Sequence, residues 1–496
     1  MAERHVAVFV ALAAGKVVAM ACTVLAPMVI GRALGAEALG RWTLLIAAGT
    51  LLHTALLNWT HASTVRYGKE EWLEQHRLTR TLGARLPLLA AGAAIAVLVL
   101  MAQPGRWAER WFGATPSDAM LIALVAISVW MAAEAQATLQ ATDRISWQAS
   151  VAPVVALASI GGLLLWAASG SRSLALAVLA FSAPPAIGWA ATWLAAIARS
   201  HTRIGDLTFD DTARHLRYAA PVIPTFALGY VSDWGDHVLL SRYSTLAEVG
   251  QFALAYQFMV AAMAAGGVLV TVMLPRLIAH ELTQPGYMRT YIEREVPTLC
   301  ALWMLGTIWV VAAMPLVVRL IAGAQFDDSL IVLQTLLIVV PASVVSSLFT
   351  VLFSVQERMG RSTVFLFVMS GMNVGISLLL IPRYGALGAA AATVASYVVY
   401  QAAYVWDQHR VLGVAAGRTW TLWMAAILIG ATQWPLGSSI AVRAGWAALT
   451  TVILLAIVRM VGAIDGGVVA RLFGGRLQPV GTVITRLLAA PGPVTP

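Results

Sequence analysis

Lysine is almost missing from this chain: of its 32 basic residues only Lys16 and Lys69 are lysine. Charge of any kind is scarce, at 11% of residues, against roughly a quarter in a typical soluble domain. With 60% hydrophobic residues, no soluble core of this length hides so much apolar surface, and a water-soluble enzyme or scaffold is excluded. Cysteine is limited to Cys22 and Cys300, both inside apolar runs, which excludes a disulfide framework and a cysteine metal site. Also missing are paired Cys or His spacings for metal and a glycine-rich, phosphate-cradling loop with its lysine. No connection is long enough to fold by itself, so a glycosyltransferase, polymerase or ligase, whose chemistry would sit on a sizeable loop, has no place for it. Neither a cofactor nor catalytic residues are expected, and the chain reads as a non-enzyme.

What is present is a series of apolar runs of membrane-spanning length. They fall near 7–30, 40–62, 86–102, 119–141, 149–169, 174–198, 218–241, 249–275, 296–321, 330–354, 363–382, 386–406, 420–436 and 443–461. The expected fold is an all-α polytopic membrane protein of about fourteen transmembrane helices. The net charge of +9 is spread between the runs rather than gathered in one patch, which argues against nucleic acid and for membrane topology. With the N-terminus in the cytoplasm, 22 of the Lys and Arg fall inside and 9 outside, Lys16 lying within the membrane; both termini are therefore placed in the cytoplasm. The charged stretches 65–85, 199–217 and 276–296 are expected as cytoplasmic surface helices, and the tail from about 462 as an interfacial helix followed by disorder.

An ionisable side chain inside a membrane costs several kcal/mol and is a functional candidate by default. Lys16, halfway along the first run with Ala13, Ala19 and Thr23 on its face, is a candidate for meeting a phosphate. In the second run Thr50, His53, Thr54, His61 and Thr64 form a polar stripe leading to Arg66 at the cytoplasmic mouth. Glu134 in the fourth run is a candidate cavity acid or counter-ion for Lys16. Asp233 and Asp236, three residues apart in the seventh, are expected to share a face and to bind a proton or Na⁺. The opposite reading of each is structural: a snorkelling lysine, histidines hydrogen-bonded between helices, aspartates paired with Arg242.

Two short patterns recur at nearly one offset. Arg32, Gly40 and Trp42 match Arg242, Gly250 and Phe252, and Asp143–Arg144 matches Glu357–Arg358. An even number of spans per copy makes the copies parallel, related by an axis along the membrane normal. The expected division is a six-helix lobe over 1–205, a second over 206–410, two further helices over 411–465, and a cytoplasmic tail over 466–496.

The stretch Gly360–Arg361, Asn373, Ile381-Pro382-Arg383-Tyr384-Gly385-Ala386-Leu387-Gly388 with the alanines to Ala392, Thr393 and Ser396 resembles the polysaccharide-transport, O-antigen flippase-like family of the multidrug/oligosaccharidyl-lipid/polysaccharide (MOP) exporter superfamily. Gly31-Arg32-Ala33-Leu34-Gly35 to Gly40, and Asp236 to Gly250, look like that family's helix turns in the two halves; His237 stands where the family often has a basic residue. The resemblance implies an inner-membrane flippase that moves a polyprenyl-diphosphate-linked oligosaccharide outward by alternating access for O-antigen, capsule or exopolysaccharide assembly. It implies membrane lipids and polysaccharide-polymerase machinery as partners, proton or Na⁺ coupling, and no nucleic acid. Lys16, His53, His61 and Arg66 would then face diphosphate or glycan, and Glu134, Asp233 and Asp236 the coupling ion. A cation-coupled drug exporter of the same superfamily is the first alternative, and a membrane-bound polysaccharide polymerase the second.

Overall fold

A computed structural model describes residues 2–102, 106–113, 115–200, 202, 208–434, 436–437, 439–472 and 478–488; the side chains of residues 2–14 and 16, and of some others, lie outside that description. Every described regular element is helical. Lipid offers the backbone no hydrogen-bond partner, so a chain this apolar must satisfy its amides within each segment.

The first half comprises α1 (Ala2–Leu34), α2 (Ala36–Leu56), α3 (His61–Gln75), α4 (Thr79–Ala102), α5 (Arg106–Phe112), α6 (Ala119–Ala141), α7 (Ile145–Ala168), α8 (Leu174–Ala198), α9 (Thr212–Ala219) and α10 (Ile223–Tyr243). The second comprises α11 (Leu246–Thr283), α12 (Tyr287–Thr290), α13 (Val296–Ala322), α14 (Asp327–Leu336), α15 (Val344–Val355), α16 (Met359–Leu412), α17 (Gly417–Thr432), α18 (Ile440–Val461), α19 (Gly466–Leu472) and α20 (Gln478–Leu488). Two compact units result, Met1–Leu254 and Ala255–Pro496. In the first, α6 packs on α8, α2 and α3, and α1 on α7; in the second, α16 packs on α14 and α15, and α13 on α17 and α18.

Among the described residues nine helices are long and apolar enough to cross a membrane, or up to eleven if two bent pairs count as one span each. Fourteen are expected from the sequence. The three remaining are the second half of α16, the 16-residue α17, and α10, which carries Asp233, Asp236 and Arg242. Length and apolarity by themselves therefore support eleven. The charged stretch 276–296 is not a separate surface helix at its start, because α11 continues to Thr283.

The Pro382–Gly388 stretch is a corner. Gly385 adopts φ 52°, ψ −131°, a conformation outside the helical region, and splits α16 into two arms. A Cβ on Gly388 would sit 2.6 Å from the Leu380 carbonyl oxygen, so only glycine lets the chain fold back here. The alanines that follow, Ala389, Ala390 and Ala392, are fully buried, as expected where small residues let helices approach closely in lipid. Asn373 donates to Thr393 across the arms at 3.4 Å, and Ser362 meets Tyr404 at 2.6 Å.

Both repeated patterns have matching local structure. Asp143 and Glu357 are left-handed, at φ 57° and 56°. The next amide reaches back five residues in each case, Arg144 to the Leu139 carbonyl at 2.8 Å and Arg358 to Phe353 at 2.9 Å. That is the helix-ending motif in which a left-handed residue lets a late amide satisfy an orphan carbonyl. Gly40 and Gly250 meet each other inside the first unit. A Cβ on Gly40 would strike the Leu246 carbonyl, and one on Gly250 the Ala36 carbonyl.

Candidate functional site

The bend between α2 and α3 builds the site. A single 3-10 turn, Asn58–Thr60, joins the two helices, and the axis turns by 46°. Thr60 donates to the Leu57 carbonyl at 2.7 Å and Ser63 to the Thr60 carbonyl at 2.7 Å. The turn leaves His53, at the end of α2, beside His61, at the start of α3, with ring centroids 5.6 Å apart. Both imidazoles are buried.

Glu71 sets the start of α4. Its carboxylate accepts from the Arg80 and Thr81 amides and the Thr81 hydroxyl, each at 2.8 Å, the favourable place for an anion at a helix N-terminus. The helix therefore begins at Thr79 rather than near 86, and Arg85, expected in the loop, lies inside it with no exposure at all. Its guanidinium meets Glu134 of α6, also fully buried, in two hydrogen bonds of 2.8 and 2.7 Å. Arg85 also donates to the Thr60 hydroxyl at 2.8 Å, and the His61 Nδ1 lies 3.6 Å from the carboxylate. Trp130 donates its indole N–H to Glu134 at 3.1 Å.

A buried charge of either sign costs several kcal/mol, and this fork-to-carboxylate geometry is the one that compensates it best. The pairing partner of Glu134 is thus Arg85. Lys16 falls on α1, but its side chain is outside the described residues. Arg85 is also the membrane-embedded arginine that sequence reasoning missed. Its one signal was Glu134 itself, an acid in mid-span that demands a cation.

Around the pair, the His61 Nε2, the Thr64 hydroxyl and the Arg85 Nε have no hydrogen-bond partner among the described residues. Nearer the charged connections, His215 of α9 meets Ser63 at 3.1 Å and packs on Tyr67. Burial, aided by the Arg85 cation, lowers the pKa of this imidazole to about 4. Arg80 pairs with Asp211 at 2.9 Å and Arg214 with Glu70 at 3.5 Å. Arg66 stands exposed on α3 and makes no ion pair among the described residues. The structure thus gathers His53, His61 and Glu134 into one cluster, with Arg66 on the helix that carries His61.

Asp233 and Asp236 do not share an environment: Asp236 is buried at 5% and Asp233 is exposed. Both lie on α10, and the helix is held to α2 through Tyr230, which donates to the Ala47 carbonyl at 3.1 Å. No group of His, Cys, Asp and Glu among the described residues is arranged to hold a metal.

No protein-family model matches the sequence, and no match is found among curated proteins. Solved structures do match. The lipid II flippase MurJ in an inward closed conformation superposes with a TM-score of 0.70 at 12% identity, covering 90% of this chain and 98% of that one. An inward-facing multidrug-resistance MATE transporter of the MOP superfamily gives 0.56 at 14%, covering 79% and 94%. A mutant of the Vibrio cholerae MATE transporter VcmN gives 0.53 at 16%, covering 85% and 98%. The chain shares the fold of these three structures. The Arg85–Glu134–His61 cluster lies wholly within the first unit.

Proposed function

We propose that the chain is a flippase that moves a polyprenyl-diphosphate-linked oligosaccharide from the cytoplasmic to the outer leaflet of a bacterial inner membrane by alternating access, serving O-antigen, capsule or exopolysaccharide assembly. The observation that carries this reading is the fold likeness to a lipid II flippase, higher and over more of this chain than the likeness to the MATE transporters. Arg66, exposed and without an ion pair among the described residues, would receive the diphosphate, which a planar guanidinium binds in bidentate fashion. Lys16 would serve the same anion, and His53 and His61 the polar substrate head. Glu134, Asp233 and Asp236 would carry the coupling proton or Na⁺. The topology proposed has both termini in the cytoplasm. The second reading is a cation-coupled drug exporter, favoured by the MATE likeness.

A deletion strain tests it. Lipid-linked glycan should accumulate on the cytoplasmic leaflet, and the intact gene should clear it. Arg66→Ala should fail to clear it while reaching normal abundance, and Arg66→Lys should clear it in part. No accumulation in the deletion strain, with increased sensitivity to organic cations instead, would move the assignment to drug export.

A further inference from the structure

The second unit holds a cavity of about 300 Å³ lined by residues from the end of α11, the turn at Tyr291–Glu295, the start of α13 and α19. Its wall is unlike the rest of the unit. Its polar lining comprises Arg276, His280, Tyr287, Glu295 and Arg471. Met273, Leu277, Leu299 and Val468 also line it, so charged and apolar side chains share one wall.

Each polar group has a defined job except one. Glu295 accepts from Tyr287 at 2.6 Å and from Arg471 at 2.8 Å, so its charge is neutralised and α19 is tied down. His280 stacks on Tyr287, with ring centroids 4.7 Å apart, and its Nδ1 meets the Arg276 carbonyl at 2.7 Å. The Arg276 guanidinium makes no ion pair or hydrogen bond among the described residues, and the cavity keeps a net positive charge. The backbone is irregular here too: residues Tyr291–Glu295 form a π-helical turn, a departure from the regular helix that is common at functional sites.

We infer that this cavity binds a phosphate-bearing anion, with Arg276 as its principal ligand and Arg471 and His280 beside it. The shared chemistry is a phosphate ester, either the headgroup of an anionic phospholipid with its acyl chain on the apolar side chains, or a free phosphate. Basic pockets between transmembrane helices on the cytoplasmic side take such headgroups, and the basic-residue count places 276–296 on that side. The inference goes beyond the transport reading and does not depend on it, because the readout is binding.

The test uses the purified full-length protein in a zwitterionic detergent, with thermal unfolding followed as phosphatidylglycerol, phosphatidylethanolamine or inorganic phosphate is titrated in. Phosphatidylglycerol should stabilise the protein and phosphatidylethanolamine should not. Arg276→Ala, at an exposed position where folding is not at stake, should weaken that response about tenfold or more, and Arg276→Lys should recover part of it. An equal response to inorganic phosphate, also lost in Arg276→Ala, would identify the free anion as the ligand. Absence of any response overturns the site. So does a response that Arg276→Ala leaves intact, or that falls equally in Arg289→Ala, an exposed cation on the same connection that does not line the cavity.

Discussion

The two units place a buried carboxylate in opposite ways. In the first, Glu134 and Arg85 are both wholly buried and face each other through two hydrogen bonds. In the second, Asp407 is equally buried, but its cations are Arg361 at 2.5 Å and Arg358 at 3.9 Å, which are 42% and 30% exposed. The helix-ending turns recur in both units while their arginines do different work. Arg144 reaches the carbonyls of Ala196 and Arg199 at the end of α8, whereas Arg358 serves Asp407. The two turns therefore share backbone geometry, while the charges around them differ. A cation that can reach solvent stabilises its partner without being committed to it; a cation sealed with its partner is committed.

That difference sets the largest expected effect. Glu134→Ala leaves Arg85 buried and uncompensated, a loss of about 3–5 kcal/mol, and the protein should largely vanish from the membrane on immunoblotting. Asp407→Asn should cost less, about 1–3 kcal/mol, because Arg358 and Arg361 can turn to water. Replacing both charges, Arg85→Met with Glu134→Leu, should restore abundance. If transport returns as well, the pair only holds the fold; abundance without transport assigns it to the mechanism. Equal losses in Glu134→Ala and Asp407→Asn would erase the contrast between the units.

The next effect comes from the close approach inside the first unit. Gly40→Ala and Gly250→Ala should each lower stability by about 1–3 kcal/mol, since a backbone carbonyl rather than a flexible side chain stands in the way. Their double variant should cost less than the sum, because one separation of α2 from α11 relieves both clashes. Gly375→Ala, with nothing within 4 Å of the added Cβ, should be neutral or slightly stabilising in a thermal melt.

These contrasts also mark where the sequence was readable. The corner at Gly385 and the turns at Asp143 and Glu357 are local: proline, glycine and the acid–base pair fix them within a few residues. The helices expected from apolar runs are likewise local. Arg85 was not readable, because its burial depends on Glu71 capping α4 from across a turn and on the bend at Asn58–Thr60. Its partner is 49 residues away in the chain, and no periodicity connects them. For Asp233 and Asp236 the difference in burial was likewise not readable. Spacing of three puts them on neighbouring lines of one helix, yet only the packing around α10 decides that one is buried and the other is not.

A smaller effect separates the units by pH. His215 has a pKa of about 4, below the ordinary value near 6.5. Above pH 6.5 it is neutral in both folded and unfolded chains, and its contribution is complete. As pH falls from 6.5 towards 4, the unfolded chain takes up the proton and the folded one does not, so stability declines. Asp211 favours the proton, while Arg85 and Arg214 oppose it. Between pH 7 and 5 the decline from this group should be on the order of 1 kcal/mol, and His215→Gln should remove it, seen as a smaller difference in Tm between the two pH values. An unchanged difference would mean the imidazole is not sealed by Ser63 and Tyr67.

The smallest effect tests the repeat itself. Asp143 and Glu357 are exposed residues held in the left-handed region, where an L side chain is strained by about 1 kcal/mol and glycine is not. Glu357→Gly should therefore raise stability, by about 0.5–1 kcal/mol. Asp143→Gly should gain slightly less, because Asp143 forms an ion pair with Lys69, and an exposed pair of this kind contributes only a few tenths of a kcal/mol. High salt should close the gap by screening that pair, leaving two equal gains. If either variant is less stable than the parent, the left-handed turn there is held by the side chain and not by the backbone. The two turns would then be alike in geometry but not in cause.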